Sequence, residues 1–274
     1  MDENSSGMQV VHAEPHPLLR PYVREYEGYE TDGEARRDVH VAYPGVPLII
    51  SFRQDPMLIA PSRPGDKVEV RRSFVAGLHD TFSTGESPGR MCGVQVNFTP
   101  IGGYLVMGMP MHELTNRTVA IDDVFGKEGP RLVERLAEET DWGARYSTLD
   151  SFIGRRIAAA NRPPTGIIWA WRRLDETGGR VTVGELADEL GMSRKHLVAS
   201  FRKYVGLPPK VVSRILRFDR ARSGIADGKG WSEIAHEAGY YDQAHLIRDF
   251  RQFTGFTPSG YTARLAEHGG VLID

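Results

Sequence analysis

Six side chains in the last third of the chain have types and spacing that point to one chemistry. Arg194, Lys195 and Arg202 lie on one segment, and Gln243, Arg248 and Arg251 on a second that is offset by 49 residues. Arg and Gln each place two hydrogen bonds on one purine edge in the DNA major groove, Arg on guanine and Gln on adenine. Arg and Lys also pair with phosphate oxygens. A single solvated Arg carries little information, but two such sets on duplicated segments point to a nucleic-acid surface.

Other chemistries find weaker support. His40, His79 and His112 are scattered, with no His-x-His pair on a strand, and His12 and His16 stand four apart near a proline-rich start. A cupin metal centre needs a close His pair with further His and Glu ligands on neighbouring strands. No metal, cofactor or catalytic residue is therefore expected. The single cysteine, Cys92, excludes an internal disulfide and a Cys-rich zinc site, and it reads as a buried inert thiol. His196 and His245 sit beside core leucines and read as structural. "TPIGGYL" (Thr99–Leu105) lacks the spacing of a phosphate-binding glycine loop. Two alternatives stay open: a cupin-type metal-dependent enzyme fused to a DNA-binding domain, and an adaptor whose helical repeat contacts proteins.

The elements that must position the six side chains form an internal repeat. "VGELADELGMSRKHLVASFRKYVGLPP" (Val183–Pro209) aligns with "WSEIAHEAGYYDQAHLIRDFRQFTGFTP" (Trp231–Pro258) across one inserted residue. Ten positions are identical, among them Ala187/Ala235, Gly191/Gly239, Leu197/Leu246, Phe201/Phe250 and Pro209/Pro258. Each copy predicts a short helix, a glycine turn and a second helix. Thr182 with Glu185 forms a capping box for a helix over 185–190, and Ser193 caps a second over 194–204. Leu197 with Phe201, and Leu246 with Phe250, share one helix face that turns inward. Between the copies, residues 210–228 read as a helix spanning about 27 Å at ~1.5 Å per residue. That is comparable to the ~34 Å between successive major-groove faces on one side of B-DNA.

These features resemble the AraC/XylS family of bacterial transcription regulators over Ile167–Arg264, through the "GYYDQAHLIRDFR" and "GFTPSGY" segments. The resemblance implies two helix-turn-helix units joined by a long helix, bound to double-stranded DNA. It places Arg194, Lys195, Val198 and Ala199 on the first reading helix and Gln243, Ala244, Ile247 and Arg248 on the second. Arg202 and Arg251 are read as phosphate contacts. Ala199 stands where the family often has Arg, Leu246 where it usually has Phe, and Thr262 where it usually has Arg. Unit one therefore leans toward phosphate and apolar contacts.

The preceding part differs in character. Residues 36–100 read as short strands, notably over 38–52, 67–78 and 93–100, separated by Pro, Gly and Asp turns. Helices are expected over 130–140 and 146–161. "NRPPTG" (Asn161–Gly166) marks a boundary because two prolines cannot continue a helix. Net charge is −5 over residues 1–162 and +3 over 163–274. The expectation is an α+β chain: a β-rich, cupin-like domain with helices over 1–162 and an all-α double helix-turn-helix domain over 163–274. The first would bind a small-molecule effector, dimerise, or both, with the apolar face of Tyr146–Ile157 as the motive for a homodimer. RNA polymerase is a further expected partner. No run of ~18 apolar residues and no signal-peptide pattern occur, so a cytoplasmic location is expected.

Overall fold

A computed structural model describes residues 2–3, 8–62, 67–226 and 228–268. Among the described residues the first half contains eleven strands: β1 (Asp2–Glu3), β2 (Met8–Ala13), β3 (Val23–Asp32), β4 (Arg36–His40), β5 (Val46–Ser51), β6 (Met57–Pro61), β7 (Glu69–Arg71), β8 (Phe74–Ala76), β9 (Ser83–Ser87), β10 (Arg90–Phe98) and β11 (Thr118–Ala120). All pairings are antiparallel, in a seven-stranded sheet β1-β2-β3-β10-β5-β8-β11 and a four-stranded sheet β4-β9-β6-β7. Val46, Leu48 and Ile50 of β5 and Val94, Val96 and Phe98 of β10 are buried. Alternation along these strands turns the other residues of each toward the opposite face.

The expected strands over 38–52 and 67–78 are each broken in two. Tyr43-Pro44-Gly45 separates β4 from β5, and Arg72-Ser73 separates β7 from β8. In both places the chain leaves one sheet for the other.

Four helices follow within this half: α1 (Pro100–Met107), α2 (Ile121–Phe125), α3 (Glu128–Glu138) and α4 (Trp142–Ala159). Thr99 caps α1 by accepting from the Gly102 N–H, with Pro100 in the first turn where its missing N–H costs nothing. α4 starts four residues before the expected Tyr146, because Asp141 rather than a later residue accepts from the Ala144 N–H. Its apolar face, Tyr146, Leu149, Phe152, Ile153 and Ile157, is buried within the chain. Tyr146 Oη donates to the Val11 carbonyl at 2.7 Å and accepts from the Gly28 N–H at 3.2 Å. The Trp142 ring occupies the space a Cβ on Gly28 would need. The face that motivated a homodimer is thus spent inside the chain, on the sheet through Tyr146 and on α1 and α2 further along.

The second half is helical: α5 (Thr165–Glu176), α6 (Val183–Glu189), α7 (Arg194–Tyr204), α8 (Pro209–Ala226), α9 (Trp231–Glu237), α10 (Gln243–Thr254) and α11 (Pro258–His268). The α+β architecture is the expected one. Phe201, Phe218, Phe250 and Phe253 are fully buried in this half. Burying each such ring is worth about 1.5–3 kcal/mol over leaving it in water. Among the described residues no helix is long and apolar enough to cross a membrane.

Candidate nucleic-acid interface

The two copies of the repeat adopt the same local structure. In the first, Thr182 and Glu185 form a reciprocal capping box, so α6 begins at Val183 rather than at Glu185. The bonds from Thr182 hold the Glu185 carboxyl below its ordinary range. Gly191 turns the chain at φ 61°, and Ser193 Oγ accepts from the His196 N–H at 3.2 Å to start α7. In the second, Gly239 turns at φ 81° and Asp242 Oδ1 accepts from the His245 N–H at 2.7 Å to start α10. The two turns require a left-handed conformation that a Cβ opposes. Leu186, Leu197 and Phe201 in one copy, and Ile234, Leu246 and Phe250 in the other, are buried. α8 packs against α5, α7, α9 and α10, so a single helix carries both units.

Of the sequence-predicted residues, Arg194, Lys195, Ala199 and Arg202 on α7 are exposed, as are Gln243, Ala244, Arg248 and Arg251 on α10. Val198 and Ile247 are half-buried. No acidic side chain among the described residues pairs with Arg194, Lys195, Arg202, Arg248 or Arg251. Their guanidinium and ammonium groups are therefore left to solvent or to an external anion. His196 is exposed and His245 half-buried. Their common structural part is the backbone N–H offered to the cap, while the His245 ring meets Tyr240 edge-on at 5.1 Å. Tyr241, in the turn before α10, is 94% exposed and escaped the sequence reading. Its signal was a bulky aromatic in a turn position that has no core to fill.

The β-rich half holds a cavity of about 310 Å³ between its two sheets. Tyr29, Ile49 and Gln95 line it from the large sheet, and Asp38, His40 and Ile59 from the small one. His40 and His79, scattered in the sequence, both line this cavity, because β4 and the segment after β8 converge there. Burial pushes His40 down from the ordinary histidine range, with Asp38 opposing and His79 adding to the shift. Burial also pushes the Tyr43 phenol up to about 12. A second cluster was missed as well. His12 Nδ1 lies 3.5 Å from Glu25 Oε2, with Glu27 beside them. Burial, then the neighbouring Glu25 carboxylate, pushes the Glu27 carboxyl up. Cys92 is half-buried rather than fully buried, and burial pushes its thiol up, away from the reactive thiolate.

The cavity's walls continue into the helical half. Ala42, flanked by the lining residues Val41 and Tyr43, donates its N–H to the Phe253 carbonyl at 3.2 Å. Thr81 Oγ1 donates to the Gln252 carbonyl at 3.2 Å, and Gln252 Nε2 donates back to the Asp80 carbonyl at 2.9 Å. The carbonyls of Gln252 and Phe253 belong to the last turn of α10, which has no helical partners for them. Near the end of α7, Thr115 Oγ1 donates to the Gly206 carbonyl at 2.9 Å, and Tyr104 meets Tyr204 edge-on. The β-rich half thus fastens the C-terminal ends of both second helices and leaves their N-terminal halves free.

Two family models match. Residues 186–264 match a "Helix-turn-helix domain", and residues 11–120 match a "Domain of unknown function (DUF6597)". The bifunctional transcriptional activator/DNA repair enzyme Ada of Escherichia coli is 32% identical over 98 residues, covering 36% of this chain and 26% of Ada. The uncharacterized HTH-type transcriptional regulator YbfI of Bacillus subtilis is 31% identical over 66 residues, 24% of either chain. The chain thus spans about a quarter of the length of these curated relatives. Among solved structures, an apo ToxT variant from Vibrio cholerae superposes with a TM-score of 0.49 at 11% identity, over 96% of this chain and 99% of that one. The AraC-like activator CuxR gives 0.26 at 14% identity, over 85% and 91%. The helix-turn-helix match thus runs across both copies of the repeat and the single helix that carries them.

Proposed function

We propose that this chain is a transcriptional regulator that binds double-stranded DNA sequence-specifically through residues 163–274 and answers to a small molecule held by residues 1–162. The observation that carries the reading is the pairing of two α7-like helices, each with exposed basic side chains that no acidic group among the described residues pairs, joined on α10 by the Gln243 amide. Arg194, Lys195, Gln243 and Arg248 read base edges, and Arg202 and Arg251 hold phosphates. Val198, Ala199, Ala244 and Ile247 supply the apolar contacts between them, and the fully exposed Tyr241 adds a contact at the entry to α10. The capped N-terminus of α7 offers further N–H groups to a phosphate.

Control through the cavity rests on the fastening of α10. The segments around Ala42 and Asp80–Phe82 both line or flank the cavity and hold the end of the second reading helix. A ligand that moves either segment changes how α10 presents Gln243 and Arg248. The cavity's size suits a small molecule. Homodimer assembly belongs to the proposal on a surface other than α4; Leu58 and Val70, exposed toward the free β7 edge of the small sheet, support it. RNA polymerase contact and a cytoplasmic location follow from the same reading, and the chain works by binding rather than catalysis.

Selection of binding sites from a random DNA pool by the full chain, with and without candidate metabolites, tests this. Enrichment of a bipartite motif with half-sites about one helical turn apart is the expected result. Affinity that ignores salt, or no enriched motif, overturns it and favours the adaptor reading.

A further inference from the structure

Strands β2, β3 and β10 lie side by side, and their register stacks polar residues on one face of the large sheet. His12 stands opposite Glu27, Glu27 opposite Gln95, and Glu25 opposite Asn97. One ring nitrogen of His12 and one carboxylate oxygen from each of Glu25 and Glu27 all lie within 4.8 Å of one another. Behind them, the nearly buried Asn97 amide donates to both carboxylates, to Glu25 at 3.3 Å, and itself accepts from Gln95 Nε2 at 2.8 Å. No Lys or Arg among the described residues pairs with either carboxylate. Two carboxylates are thus turned to one point and held there, with one imidazole as the remaining neighbour.

We propose that His12, Glu25 and Glu27 form a divalent transition-metal site at the cavity's edge, of the zinc class. One imidazole nitrogen and two carboxylate oxygens are the donor types that zinc accepts, and magnesium disfavours the imidazole. Two bonds of ~2.1 Å at a tetrahedral angle set ligand atoms about 3.4 Å apart. The His12–Glu25 separation of 3.5 Å already matches that, and the Glu27 oxygen closes from at most 4.8 Å. Asn97 and Gln95 form the outer shell that orients the ligands. Three protein ligands leave a position open. Glu27 and Gln95 also line the cavity, so that position faces a space able to hold a small molecule. This site stands independently of the DNA-binding reading.

The test uses the full chain freed of metal by chelation. Calorimetric titration with Zn²⁺ should show one site per chain, and excess Mg²⁺ should not displace the ion. His12→Ala and Glu27→Gln should each weaken binding at least tenfold, and Asn97→Ser by about 10–100-fold. His12 is exposed, so its removal leaves the sheet intact, and circular dichroism checks each variant's fold. Cobalt substitution should give visible absorption that disappears in His12→Ala. No stoichiometric Zn²⁺ binding, or binding retained in the folded His12→Ala/Glu27→Gln double variant, overturns the assignment.

Discussion

Arg214 donates to a single oxygen of Asp249 from both Nε, at 3.1 Å, and Nη2, at 2.6 Å. This bond joins the helix between the two units to the second reading helix. The Asp249 side chain is 2% exposed and that of Arg214 24%, so the pair is largely shielded. Removing one partner of a buried pair strands the other charge. Asp249→Ala is expected to destabilise the chain by about 3–5 kcal/mol in urea denaturation. A loss under about 1 kcal/mol would class the pair with exposed surface bridges.

Arg248→Ala removes an exposed guanidinium without touching the core. It is expected to cost about 1–3 kcal/mol of DNA affinity and to relax preference at one base pair. Site selection and fluorescence anisotropy check this; an unchanged motif removes Arg248 from the readers.

Arg251→Ala and Arg202→Ala should behave differently. Each should weaken binding almost equally across sequences and lower the salt slope of log K by about one. Anisotropy titrations across a salt series measure it, and a sequence-selective loss contradicts the phosphate role.

Gly255 ends α10 at φ 80°, and a Cβ there would stand 2.9 Å from the Phe82 ring. Gly255→Ala therefore combines left-handed strain with a clash, at an expected cost of about 1–3 kcal/mol. Phe82→Ala added to it should recover part of that loss. Chemical denaturation of the single and double variants decides the point.

Burial lowers His40, so the unfolded chain takes up its proton first as pH falls. The folded state then loses stability as pH drops below about 6.5, and keeps it above. His40→Asn should flatten the fall in Tm between about pH 8 and pH 5 relative to wild type. Parallel curves for the two proteins would exclude His40 as the source.

The duplication made the helical half legible: matched Gly, Leu, Phe and Pro positions show which residues are architecture before any coordinates exist. The β-rich half was less so. β3 went unread because "VREYEGYETD" carries charges on the face toward the cavity and Glu25 and Glu27 look solvated. A register shift between Asn97 and Phe98 also breaks its alternation, with Val23 and Tyr26 both buried. His40 and His79 meet at one cavity from a strand and a loop, and His12 joins Glu25 and Glu27 across the β2–β3 register; neither grouping is written in linear spacing. Helix starts moved wherever the capping residue, Thr182 or Asp141, lay upstream of the first apolar position.

The bonds that fasten α7 and α10 to the β-rich half end on main-chain carbonyls, those of Gly206, Gln252 and Phe253. Such acceptors are present whatever side chains the two helices carry. Under the proposed assignment, drift at Arg194, Gln243 or Arg248 would change which DNA a descendant binds without loosening the mount that joins the two halves. Recognition and its attachment to the β-rich half would then be free to evolve on separate clocks.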